Sequence, residues 1–86
     1  MTTLPPPAVK LFPEGSLEKK VYTVAEKFKE NIPITNDRNR LGFGLFKYMK
    51  GEGDAPEILV HSAKIKVVGT TLDELAKQIS EELKKL

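Results

Sequence analysis

The chain has 86 residues, which is enough for one hydrophobic core and too few for two. Its 40% hydrophobic and 30% charged residues suit a folded protein and exclude a disordered one, while a net charge of +2 is too slight to name a partner. The absence of cysteine rules out disulfides and thiolate zinc sites, so packing alone must hold the core.

Twelve of the fourteen basic residues are lysine, glutamate outnumbers aspartate nine to three, and Gln78 is the sole glutamine. That composition resembles the Lys/Glu enrichment of thermophile proteins. The first residues lack the basic start and apolar run of a signal peptide, and no stretch approaches ~18 apolar residues, so a cytoplasmic protein without a membrane span is expected.

Taken in order, residues 1–8 with Pro5, Pro6 and Pro7 read as an extended arm, with a proline-recognition ligand as the functional alternative. Residues 9–86 read as a single α+β domain. Val9 to Phe12 suits a short edge strand, followed by a turn at Pro13 to Ser16. Ser16 then caps a helix over about 16–31, with Leu17, Val21, Val24, Ala25 and Phe28 on one face. The β-branched run Val21 to Val24 keeps a strand open as the alternative there.

Residues 41–50 alternate as a strand, with Leu41, Phe43, Leu45 and Met49 on one face and Gly42, Gly44, Phe46, Tyr48 and Lys50 on the other. A loop follows from Gly51 to Pro56, and 57–68 reads as the second strand of an antiparallel hairpin, with Leu59, Ala63, Ile65 and Val67 alternating. Thr71 and Glu74 form a capping box ahead of a helix over about 71–86, with Leu72, Leu75, Ala76, Ile79, Leu83 and Leu86 as its apolar stripe. A lysine-rich helix end explains the terminal Lys84-Lys85-Leu86 better than a peroxisomal address. The expected fold is a small antiparallel sheet with both helices on one face.

Little catalytic chemistry is available. His61 is the only imidazole, no nucleophile can be named as its partner, and a hydrogen-bonded position at the core margin suits it. Glu52, Asp54 and Glu57 around the Gly-rich loop lack the spacing of an EF-hand. Neither Gly42-Phe43-Gly44 nor Gly51-Glu52-Gly53 opens a helix after a strand as a phosphate loop must. No enzyme, metal site or cofactor is expected.

Gly42 to Tyr48 resembles the strand of RNA-recognition motifs in which Gly-Phe-Gly precedes alternating aromatics that stack on bases, although Leu41 stands where that motif has a basic residue. Pairing Tyr48 with Val60 and Gly44 with Lys64 would gather Phe46, Tyr48, Lys50, Ser62, Lys64 and Lys66 on one sheet face. Positive charge also concentrates there, with a net three between Asp37 and Lys50 and a net two between Ile58 and Thr70. Arg38, Arg40, Lys50, Lys64 and Lys66 are then a phosphate-contacting rim around a stacking platform of Phe46 and Tyr48. The expected function is non-enzymatic binding of nucleic acid, RNA before DNA, in a ribonucleoprotein or chromatin-like assembly. The alternative is a protein-interaction module or homodimer that buries the same face.

Overall fold

The computed structural model describes residues 8–86. It contains a short 3-10 helix, Ala8–Leu11, and then α1 (Leu17–Glu26), α2 (Thr35–Met49), α3 (Pro56–Ser62) and α4 (Leu72–Leu83). The described residues contain no strand, so the expected α+β fold with its hairpin is corrected to an all-helical one. The segment read as an edge strand over 9–12 falls largely within the 3-10 turn. The arm proposed for 1–8 lies, up to Pro7, outside the described residues.

The first and last α-helices form where their caps place them. Ser16 Oγ accepts from the Lys19 N–H at 3.1 Å, and Thr71 Oγ1 accepts from the Glu74 N–H at 3.1 Å, each satisfying a donor with no intrahelical partner. Both helices are shorter than expected. After Glu26 the chain continues through tight turns to Ile32, and α4 ends at Leu83. Val21, Val24 and Phe28 meet Leu75, Ala76, Ile79 and Leu83 in one core, which also takes in Ile32, Leu41, Leu45, Leu59 and Val60. Lys27, just beyond α1, reaches Glu82 Oε1 of α4 at 2.6 Å and, with Lys85, holds that carboxyl below its usual range.

The segment read as the first strand is the longest helix. Leu41, Leu45 and Met49 recur every fourth residue, so they fit a strand face and a helix face equally. Phe43 decides between them, because strand parity would bury it with the leucines, whereas its side chain is 49% exposed. Helix α2 stops in a Schellman motif: Gly51 has φ +82°, its N–H donates to the Tyr48 carbonyl, and the Glu52 N–H donates to the Lys47 carbonyl.

The second expected strand divides in two. Pro56 opens α3 at a position where its missing N–H costs nothing, and Glu57 in the first turn complements the helix dipole. From Ala63 to Val68 the chain alternates between half-buried and exposed residues, as read, but it pairs with no strand. Its polar groups bond instead to side chains and loop. The Lys66 N–H donates to Asp37 Oδ2 at 2.9 Å, the Val68 N–H donates to the Asn31 carbonyl at 2.8 Å, and Asn31 Nδ2 donates to the Val68 carbonyl at 2.9 Å.

Two glycines let α2 sit close to its neighbours. A Cβ on Gly42 would lie 2.8 Å from Tyr22 Cδ2, and one on Gly44 would lie 2.6 Å from Leu59 Cδ1. The Tyr22 ring is backed by Phe12, with centroids 4.8 Å apart, and so has little room to retreat. Gly42→Ala should therefore lower the melting temperature, because overpacking of roughly 1–3 kcal/mol outweighs a helix-propensity gain of about 1 kcal/mol. The Gly44 and Leu59 substitutions should couple: Gly44→Ala should be better tolerated in a Leu59→Ala background than in the native chain, which a double-mutant thermal melt reads directly. In α4, Leu75→Ala removes a fully buried side chain and should cost about 2–5 kcal/mol in chemical denaturation.

Candidate functional site

With Leu41, Gly42 and Leu45 turned inward, α2 presents Asn36, Arg40, Phe43, Lys47 and Lys50 to solvent. Their spacing of four, three, four and three is a single stripe along the helix. The Lys47 ammonium lies 5.2 Å from the centre of the Phe43 ring. Beside the first half of this stripe is an open cleft of about 800 Å³, lined by Tyr22, Ile34, Asn36, Asp37, Asn39, Arg40 and Phe43. Burial, and then the nearby Glu18 charge, push the Tyr22 phenol above its ordinary value, so it stays neutral at the cleft's edge.

The two arginines have different surroundings. Arg38 is buried and spends its guanidinium internally. Its Nε donates to Glu26 Oε1 at 3.1 Å, Nη1 to the Ile32 carbonyl at 2.7 Å and Nη2 to Thr35 Oγ1 at 3.2 Å. One side chain thus ties the end of α1, the connecting loop and the start of α2. Arg40 is half-exposed and pairs with the buried carboxylate of Asp37, while also reaching the Lys64 carbonyl at 3.4 Å. Because Asp37 also accepts the Lys66 N–H, this carboxylate fixes both Arg40 and the segment that carries Lys64 and Lys66.

Of the seven residues named from the sequence, Arg40, Lys64 and Lys66 are brought together, all of them exposed. Lys50 closes the α2 stripe, with its ammonium 5.1 Å from the centre of the Phe46 ring and 3.6 Å from Glu52 Oε2. Arg38 is removed from any rim by its burial. Phe46 packs against the core, and Tyr48 lies on another face of α2, where it shares a groove with Met49, Glu57, Ser80, Leu83 and Lys84. The stacking platform of Phe46 and Tyr48 therefore does not form, since residues two apart share a strand face but diverge on a helix.

Sequence reasoning missed Asn36, Phe43 and Lys47. The signal available was the same fourfold and threefold spacing that marks the stripe. His61 sits on α3, not in a strand, and is exposed; its Nε2 is 3.5 Å from Asp73 Oδ1. Among the described residues no three His, Asp or Glu side chains gather as metal ligands, and no described helix is long and apolar enough to cross a membrane. Compared with protein-family models, curated proteins and solved structures, the chain matches none.

The contrast between the arginines can be measured. Arg38→Ala strands Glu26 and the buried Ile32 carbonyl and should cost roughly 2–4 kcal/mol. Arg40→Ala removes the cation beside the buried Asp37 carboxylate, which keeps the Lys66 N–H, and because Arg40 itself is half-exposed the loss should be smaller than for Arg38→Ala, about 1–2 kcal/mol. Chemical denaturation of the two variants side by side should separate them, and equal losses would contradict these assignments.

Proposed function

We propose that this chain is a non-enzymatic nucleic-acid-binding domain that uses the outer face of α2 together with the adjoining segment at Lys64 and Lys66. The observation that carries this is the segregation of charge. Helix α2 has one acidic residue, Asp37, and buries it, whereas Glu18 and Glu26 on α1, Glu57 on α3, and Asp73, Glu74 and Glu81 on α4 are all at least partly exposed. Arg40 stands beside the backbone of Lys64 and Lys66, and Lys47 and Lys50 continue its stripe; the acids near these cations are Asp37, which pairs with Arg40, Glu52, which pairs with Lys50, and Asp54, which shares a groove with Lys47. Such a surface attracts polyphosphate, and Asn36 and Phe43 between the cations add polar and apolar contacts. RNA is not favoured over DNA, because residues 42–48 form a helix and not a base-stacking strand.

A second reading, association with another copy of the chain, is favoured by the exposure of Ile34 and Phe43 at the mouth of the cleft. Light scattering separates the two: a dimer that Phe43→Ala dissociates supports the second.

For the first, fluorescence anisotropy with a mixed-sequence DNA duplex should show binding at low salt. If three to five phosphates are contacted, log affinity should fall with log salt at a slope of roughly −3 to −4.5. Lys64→Ala combined with Lys66→Ala should flatten that slope by about 1–2, while Lys84→Ala with Lys85→Ala, at the far end of α4, should leave it as it is. Absence of binding to any DNA or RNA probe at low salt would refute the proposal.

A further inference from the structure

Resting on that function, we infer that α2 is a reading helix that enters the major groove of B-form DNA, with Asn36 and Arg40 at the base edges and Lys64 and Lys66 on the flanking backbone. The face has the form this requires. Asn36, Arg40, Phe43 and Lys47 run in a single line along a helix of 15 residues, about 22 Å at ~1.5 Å per residue, and Lys50 at its C-cap continues that line. A helix of ~10–12 Å diameter fits a groove ~12 Å wide, and that groove displays acceptors that an arginine fork or an asparagine amide can pair.

The stripe is also ordered along its length. Asparagine and arginine occupy the first half, Phe43 stands midway where a thymine methyl would meet it, and Lys47 and Lys50 occupy the last half. Arg40 is the best-placed reader. Asp37 holds its guanidinium from the inner side, so the remaining N–H groups can engage a base with less ordering still to be done. Lys64 and Lys66 emerge alongside this same turn, because Asp37 and Arg40 hold their backbone there, and a phosphate strand beside the groove is what two exposed lysines at that place would contact.

The other nucleic acids fit less well. Single strands are held by rows of exposed aromatic rings, but here Phe46 packs against the core and the exposed rings of Phe43 and Tyr48 lie on different faces of α2. A-form RNA has a major groove too narrow and deep to admit a helix.

Three fluorescent probes of one mixed 20-mer sequence test this: a DNA duplex, an RNA duplex and the single DNA strand, all at the same salt concentration. The DNA duplex should bind at least about tenfold more tightly than either of the others. Replacing its purines by 7-deazapurines, which removes the N7 acceptors of the major groove, should weaken binding several-fold, whereas netropsin in the minor groove should not displace the protein. Arg40→Lys keeps the charge but loses the fork, so it should weaken binding to the DNA duplex and reduce the deazapurine penalty, with an unchanged melting temperature confirming the fold. Equal affinity for the RNA duplex or the single strand, or displacement by netropsin with no deazapurine effect, would overturn the groove assignment and leave nucleic-acid binding standing. Failure to bind any of the three probes would overturn both.

Discussion

The structure depends on how closely α2 approaches α1 and α3. Two backbone contacts without side chains, Gly42 against the Tyr22 ring and Gly44 against the Leu59 branch, set the roll of α2 about its own axis. A larger residue at Gly42 would have to displace the Tyr22 ring, which Phe12 backs, and one at Gly44 would have to turn the Leu59 branch aside. Once Gly42 and Gly44 face inward with Leu41 and Leu45, the outward positions follow from helical geometry. Asn36, Arg40, Phe43, Lys47 and Lys50 are exposed for that reason, and the cationic surface results from the core's packing.

A polar lock then fixes the ends of this helix pair. Arg38 bonds to α1, to the connecting loop and to its own first turn, and so closes the join that the glycine contacts require. Asp37, one residue earlier, points to a different side and anchors the unpaired segment from Lys64 to Lys66. Adjacent residues on a helix point about 100° apart, which is how neighbours in sequence serve separate purposes here. Arg38 supports the fold, whereas Asp37 and Arg40 shape the surface. An extended segment with no strand partner is a costly structure unless its backbone groups are satisfied, and Asn31 and Asp37 satisfy three of them.

Some of this is legible in the sequence. Ser16 and Thr71 announce α1 and α4 because capping is a local interaction, and Leu75, Ile79 and Leu83 lie in the core that their spacing predicts. The middle of the chain is not legible in the same way. Leu41, Leu45 and Met49 satisfy both periodicities, and Gly42 and Gly44 together with Phe43, Phe46 and Tyr48 lower the apparent helix propensity, so the pattern favours a strand. Tertiary packing, which no local window contains, overrides that propensity. Pro56 was a usable helix start that read as a loop, because a proline following glycines and an aspartate also marks a turn. Among the basic residues, charge density pointed to Arg40, Lys64 and Lys66, but it could not distinguish Arg38, whose burial arises from a glutamate twelve residues away.

The roll of α2 places Asn36, Arg40, Phe43 and Lys47 on one outer face, the face proposed to meet nucleic acid. The most direct test is a backbone amide chemical-shift map recorded while a short DNA duplex is titrated into the labelled protein. The account predicts helical shifts throughout residues 35–49 in the free protein. On titration, perturbations should concentrate at Asn36, Arg40, Phe43, Lys47 and the segment from Lys64 to Lys66, with α4 and the Tyr48 groove unaffected. Strand-like shifts over 41–50, or perturbations centred on α4 with the outer stripe of α2 silent, would contradict it.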